Sequence, residues 1–394
     1  MPELTARMEH LPSYPLTWVP QKKRELIARG VDVIDLGAGD ADLAPPPAAV
    51  EALARAAHDP AMSRYGFGIG LPAFREAVAT WMERRFGARF DPATEIVPLI
   101  GSKEGLAHLA FAYVNPGDTV IVPEPAYAPY VGGTVLADGT AHRVPLREEN
   151  GYLLDLDEVP KDVLKRSTVV YLNYPNNPTG AIAPREYLER TVARCREHDL
   201  LLVYDNAYSE LAYDGYRPPG IFEIDGAREV AIEFHSFSKT YNMTGWRCGW
   251  AVARPDVCAA LAKVKTFVDT GAFMAVQAAG VAALESWAEF VPANVEVFRR
   301  RRDAAVEAFR GAGFTCDVPR AAMYLWLRLP DGLSDDEFAK RLLLEEGVVV
   351  MPGSSFGSSG TGYFRVSFIT SPERLAEAAR RAGRVLSAAV ATTA

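Results

Sequence analysis

Along the chain, short apolar runs alternate with stretches of helical spacing. VDVIDLG is an apolar strand, following an arm and a helix that ends near Gly30. From residue 72, PAFREAVATWMERRFG has the spacing of an amphipathic helix, EIVPLI that of a strand, GSKEG that of a turn that opens a helix, and LAHLAFAYV that of a helix. TVIVPE, STVVYLNYP, LLLVYDNAY, VAIEFHSFS and CGWAVA are further runs rich in Val, Ile, Leu and aromatics. Strands that alternate with helices predict an α/β fold with a mainly parallel sheet.

After about residue 285 the pattern changes. A long helix, WAEFVPANVEVFRRRRDAAVEAFRGAG, precedes the shorter strands AAMYLWLRLP, GVVVMPG and GYFRVSF and a closing helix, which reads as a smaller α+β domain. The prolines at 45–47 mark a crossing between the two parts. The expected division is 1–45 as an arm that joins the small domain, 46–284 as the large domain and 285–394 as the small C-terminal domain.

Composition narrows the function. With 394 residues, 49% of them apolar, the chain can bury a sizeable core. A net charge of −8 speaks against nucleic acid or an anionic membrane surface as partner. The basic run Arg299–Arg302 falls within the long helix and is expected to form a solvated face. No apolar run reaches the ~18 residues of a membrane span, and MPELTARMEH has no signal pattern. Four cysteines without a CxxC pair suggest reduced thiols in the cytoplasm. The scattered histidines predict no metal site.

In an open α/β sheet, ligands bind beyond the carboxyl ends of the strands. Polar residues follow five of the predicted strands: Ser102 and Lys103; Tyr127; Asn173 and Asn177; Asp205 and Tyr208; Ser236, Ser238 and Lys239. Each has an ordinary structural explanation. GSKEG lacks Walker A spacing and reads equally as a capped helix start, Asp205 as an N-cap, Lys239 as an exposed turn lysine. LGAGDAD and GFGIG lack the dinucleotide glycine pattern. Together, however, a nucleophilic lysine with Arg247 nearby, an acid to face a pyridinium nitrogen and an anion cup match what pyridoxal phosphate requires.

NNPTG, YDNAY and SFSKTYNMTGWRCGW, in this order, are specific. With them the chain resembles the class I/II aminotransferases of fold type I over nearly its whole length. In LIGSKEG, NYPNNPTGA, YDNAYSELAYDGYRPP and HSFSKTYNMTGWR it is most similar to the LL-diaminopimelate aminotransferase group. The resemblance implies a large domain with a mainly parallel seven-stranded sheet. It implies that Lys239 forms the Schiff base and moves the proton, that Asp205 pairs with the pyridine nitrogen, that Tyr208 and Asn177 bond the ring oxygen, and that Tyr127 stacks on the ring. Ser102, Lys103, Ser236, Ser238 and Arg247 then hold the phosphate. Tyr65 matches a tyrosine that reaches the phosphate of a neighbouring subunit, implying a homodimer with shared active sites. Gly39 and Arg365 match the residues beside the substrate and its α-carboxylate. The strand GYFRVSF supports Arg365 independently, since Phe364, Val366 and Phe368 share one face and leave Arg365 and Ser367 on the other.

The implied reaction moves an amino group from an L-amino acid, such as LL-2,6-diaminopimelate, to a 2-oxo acid such as 2-oxoglutarate. A C–S lyase or other α,β-elimination enzyme of the same fold is the alternative. Two departures bear on the substrate: GDAD places Ala41 where the family usually has proline, and RYGFGIG is apolar where polar residues are usual.

Overall fold

The computed structural model describes residues 3–12, 18–67 and 69–393; part of the N-terminal arm and Gly68 of GFGIG lie outside them. The strands in chain order are β1 (Ile34–Asp35), β2 (Ile96–Leu99), β3 (Thr119–Glu124), β4 (Thr140–Pro145), β5 (Ser167–Leu172), β6 (Leu201–Asp205), β7 (Ala231–Ser236), β8 (Gly249–Ala253), β9 (Tyr324–Arg328), β10 (Val348–Val349), β11 (Met351–Pro352) and β12 (Tyr363–Ser367).

Seven of these strands form one sheet in the order β2-β8-β7-β6-β5-β3-β4. Among them β8 alone runs opposite to the other six. The sheet is therefore mainly parallel. Its central strands are buried on both faces, which is why STVVYL, LLVYD and AIEFHS read as near-continuous apolar runs. In the edge strand β4, TAHRVP, only Val144 is buried, and no such run announces it. One apolar cluster on each side of the sheet includes Val170, Leu172, Leu202 and Leu188 on one and Val169, Val203, Phe234 and Leu106 on the other.

A second core gathers Leu36, Phe298, Phe309, Leu325, Phe364 and Val366 around the antiparallel sheet β11-β12-β9. β1 pairs in parallel with β10, so the segment after the helix Val19–Ala28 lies against the C-terminal part of the chain.

The long helix runs from Trp287 to Gly311, and its basic run departs from expectation. Arg300 is exposed and Arg299 half-buried, but Arg301 and Arg302 are buried. Arg302 donates to Asp214 at 2.5 and 3.2 Å and lies over the Tyr213 ring, while Arg301 pairs with Asp42 at 2.7 Å. Four consecutive helical positions spread over about 300° of the helix circumference, so they cannot all share a solvated face. Half the run is a structural clamp instead. Among the described residues, no helix is long and apolar enough to cross a membrane.

Candidate active site

The carboxyl ends of the parallel strands open on a small cavity of about 110 Å³. Ser102, Lys103, Tyr127, Asn177, Asp205, Tyr208, Ser236, Ser238, Lys239 and Arg247 all line it. Asn173, Ala207 and Thr244 complete the lining. A larger cleft of about 820 Å³ lies elsewhere, and neither Lys239, Asp205 nor Arg247 contributes to it.

The cationic end is built by two turns. Gly101 takes φ +73°, which favours glycine, and Arg247 lies close beside it; a Cβ there would meet Nη2 at 2.5 Å. Arg247 is itself left-handed, at φ +57°. Its guanidinium is fixed by bonds to the Thr244 carbonyl at 2.7 Å and the Ile100 carbonyl at 3.4 Å. Ser236 caps the short helix that carries Lys239, accepting from the Ser238 amide at 3.1 Å. Behind the 101–103 turn, fully buried Lys265 joins Glu104 to Asp269, and Glu104 takes the Ile100 amide at 2.9 Å and lies 3.0 Å from His108 Nδ1. Glu104, His108 and Asp269 have metal-like spacing, but the Lys265 ammonium already pairs with two of them, Glu104 and Asp269.

The acidic end is Asp205, only 3% exposed at the end of β6. Its Oδ2 accepts from the Tyr130 hydroxyl at 2.7 Å, while Oδ1 is buried with no well-formed hydrogen bond among the described residues. Burial pushes the carboxyl up to about 6, against the opposing pull of the Tyr130 bond and the charge of His235. Asn173 ties Asp205 to the NNPTG turn: its Nδ2 donates to the Asp205 carbonyl at 2.7 Å and its Oδ1 accepts the Asn177 amide at 2.8 Å.

The third side comes from the small sheet. Arg365 donates to Asn177 Oδ1 at 2.7 Å and to the Gly37 carbonyl at 2.6 Å. Its guanidinium lies 4.3 Å from the Tyr324 ring centroid and 4.9 Å from that of Phe356, and its Nε has no partner among the described residues. The Phe356 loop is held to the large sheet by Glu124, whose carboxylate accepts from Ser358 Oγ, Ser359 Oγ and the Ser359 amide at 2.8–3.1 Å. Lys239 Nζ donates to the Gly39 carbonyl, closing the triangle between the two sheets.

The sequence-predicted residues thus converge, with one exception. Tyr65 is 73% exposed, packs against Phe67 at 5.8 Å and lies outside its own chain's cavity. Tyr130, Tyr324 and Phe356 were not foreseen, whereas Asn173 stood among the polar residues expected at the strand ends. Tyr130 and Asn173 follow strand ends and carried that signal; Tyr324 and Phe356 sit in segments indistinguishable from ordinary core.

The residues present fit pyridoxal phosphate. The cavity offers an orphaned carboxylate oxygen at one end, a lysine amine, and an arginine with three hydroxyls (Ser102, Ser236, Ser238) at the other. That polarity matches a molecule with a pyridine nitrogen, an aldehyde and a phosphate.

Residues 31–381 match the family model for aminotransferase class I and II. The LL-diaminopimelate aminotransferase of Nitratidesulfovibrio vulgaris is 47% identical over 97% of this chain and 99% of its own length. That of Aquifex aeolicus is 46% identical over 96% and 98%. Among solved structures, the probable N-succinyldiaminopimelate aminotransferase of Thermus thermophilus superposes with a TM-score of 0.89 at 41% identity, covering 94% of this chain and 99% of its own. Substrate-bound BacF of Bacillus subtilis gives 0.93 at 33% identity, covering 98% of each chain.

Proposed function

We propose, for a chain that belongs to the class I and II aminotransferases and so transaminates with pyridoxal phosphate, that its amino donor is an L-amino acid of the LL-2,6-diaminopimelate type and its acceptor a 2-oxo acid such as 2-oxoglutarate. The observation that carries the reading of the site is the convergence of Lys239, Asp205 and Arg365 from two different sheets.

When bound, the cofactor supplies an electron sink for the carbanion formed at the substrate's Cα. The chain's own residues supply the rest. Lys239 is the covalent anchor and the base that moves the Cα proton. Asp205, buried and with no well-formed hydrogen bond on Oδ1 among the described residues, would accept the pyridine N–H and keep that nitrogen charged. Tyr208 and Asn177 donate toward the ring oxygen, and Tyr127 lies against the ring. Ser102, Lys103, Ser236, Ser238 and Arg247 hold the phosphate. Arg365 receives the α-carboxylate, its planar fork already set against the Tyr324 and Phe356 rings, and Gly39 borders the substrate.

The active unit in this reading is a homodimer. Tyr65, Phe67, Ile69 and Phe273 are exposed apolar residues, and a Cβ on Gly66 would lie 3.7 Å from the side chain of Met274, next to Phe273. Such side chains are the kind a second copy covers, with Tyr65 then reaching the neighbouring phosphate. The arm 1–45 is assigned to the small domain with 285–394, supported by the β1–β10 pairing, and 46–284 to the cofactor-binding domain. Four buried cysteines without a disulfide favour a reducing, cytoplasmic setting.

A donor panel with 2-oxoglutarate tests the substrate. It covers LL-diaminopimelate, glutamate, aspartate, alanine, lysine and aromatic amino acids. Turnover of LL-diaminopimelate at least tenfold above the others is expected; brisk turnover of another donor and none of LL-diaminopimelate contradicts the reading. Release of pyruvate and ammonia without an acceptor would identify an elimination enzyme instead.

A further inference from the structure

We propose that Tyr324 is a positioning residue for the transamination, joining the cofactor-oxygen side of the site to the α-carboxylate side; the proposal rests on the roles assigned above to Tyr208 and Arg365. Tyr324 opens β9 and is 1% exposed. Its hydroxyl lies 2.8 Å from that of Tyr208. Its ring lies 4.3 Å from the Arg365 guanidinium. Its hydroxyl also fills the space beside Gly39, where a Cβ would come within 2.5 Å of it. One side chain therefore touches Tyr208, Arg365 and Gly39, whose carbonyl holds Lys239.

The backbone fixes this side chain in place. Just before it, the Ala322 amide donates to the Leu211 carbonyl at 2.8 Å, and the Ala322 carbonyl accepts from the Tyr213 hydroxyl at 2.5 Å. The Phe368 amide donates to the Met323 carbonyl at 3.1 Å. The segment 208–213, which begins at Tyr208, is thus tied to the strand that begins at Tyr324.

The two hydroxyls share one hydrogen bond and hold two protons, and the donor order follows from what occupies the cavity. An anionic oxygen facing Tyr208 selects the order in which Tyr324 donates to Tyr208 and Tyr208 donates onward. A hydroxyl that accepts one hydrogen bond is a stronger donor of the next. Tyr324 thereby strengthens the bond that stabilises the anionic form of the ring oxygen. Arg365, Asp205 and Lys239 are the charged groups around the pair, and all three remain when the Tyr324 hydroxyl alone is removed.

The test compares Tyr324→Phe, Tyr208→Phe, the double variant and Tyr324→Leu, each loaded with pyridoxal phosphate. The readouts are the pH midpoint of the visible absorbance transition, the dissociation constant of the cofactor from the apoprotein, and KM and kcat for the donor. A donor to the anionic form lowers its pKa, so losing that donor raises the midpoint. Tyr324→Phe is expected to raise the midpoint by about 0.3–1 unit, less than Tyr208→Phe does, and the double variant to match Tyr208→Phe. KM in Tyr324→Phe stays within about threefold, because the ring still faces Arg365; Tyr324→Leu raises it by about tenfold or more. An unchanged midpoint in Tyr324→Phe beside a shifted one in Tyr208→Phe overturns the proposal. No shift in either variant overturns the Tyr208 assignment beneath it, and the proposal with it.

Discussion

Arg365 Nη1 and Asn177 Oδ1 meet at 2.7 Å across 188 positions of sequence, and through this bond the small sheet is registered on the NNPTG turn. The guanidinium also holds the Gly37 carbonyl and lies against the Tyr324 and Phe356 rings, so it is oriented before any carboxylate arrives. Lysine keeps the charge but not the fork. Arg365→Lys is expected to lower kcat/KM for every amino donor by ~10²–10³-fold, a loss of about 3–4 kcal/mol, within the range for breaking a buried charge pair. Steady-state kinetics across several donors check this. A loss confined to one donor would point to side-chain recognition instead.

The Asp205 carboxyl carries a pH signature. Its ordinary value is 3.8, and burial raises it to about 6 in the folded chain. Between those values the folded protein keeps a proton that the unfolded chain has released, so this group's contribution to stability falls as pH rises through that window. A cationic pyridine nitrogen reverses the penalty by favouring the carboxylate. Binding then expels the proton, and cofactor affinity should weaken as pH falls through about 6. Asp205→Asn should bind about 10–100-fold more weakly at pH 8, matching ~1.5–3 kcal/mol for a charge-assisted bond, and should lack that pH step. Titration of the apoprotein with pyridoxal phosphate from pH 5 to 8 gives both numbers. A step of equal size in the variant would remove Asp205 as its origin.

Arg302 makes a prediction about stability rather than chemistry. It is buried, but its partners Asp214 and Asp303 are about half exposed. Removing the arginine strands no buried charge, so the cost should fall below the 3–5 kcal/mol typical of a broken buried pair. Arg302→Ala is expected to lose about 1–3 kcal/mol in urea unfolding, through lost hydrogen bonds and packing on Tyr213. Activity per folded molecule should remain within twofold. A larger fall in kcat at full folding would place Arg302 in the catalytic machinery.

How far the sequence could be read depended on how local each signal was. Parallel strands buried on both faces announce themselves as apolar runs, and the rule that ligands gather at their carboxyl ends located Asp205, Lys239 and Asn177. β4 was invisible because an edge strand needs little apolar surface, as TAHRVP illustrates. The burial of Arg301 and Arg302 depends on Asp42 and Asp214, which are distant in sequence. Tyr324 and Phe356 acquire meaning only where β9, β12 and the 353–360 loop fold over Arg365. Asp205 was legible as an acid, but its dependence on Tyr130 required the packing of a helix on the sheet.

The reaction proposed for this site depends on the Lys239 amine as the covalent anchor for the cofactor and the group that moves the substrate proton. The most direct measurement is the visible absorbance of Lys239→Ala after incubation with pyridoxal phosphate and removal of the excess, alongside single-turnover kinetics. The account predicts a folded protein that has lost the absorbance of lysine-linked cofactor and at least 10³-fold of its turnover, the base contributing ~10²–10⁴-fold alone. A variant that retained the unchanged absorbance band and near-normal turnover would contradict it.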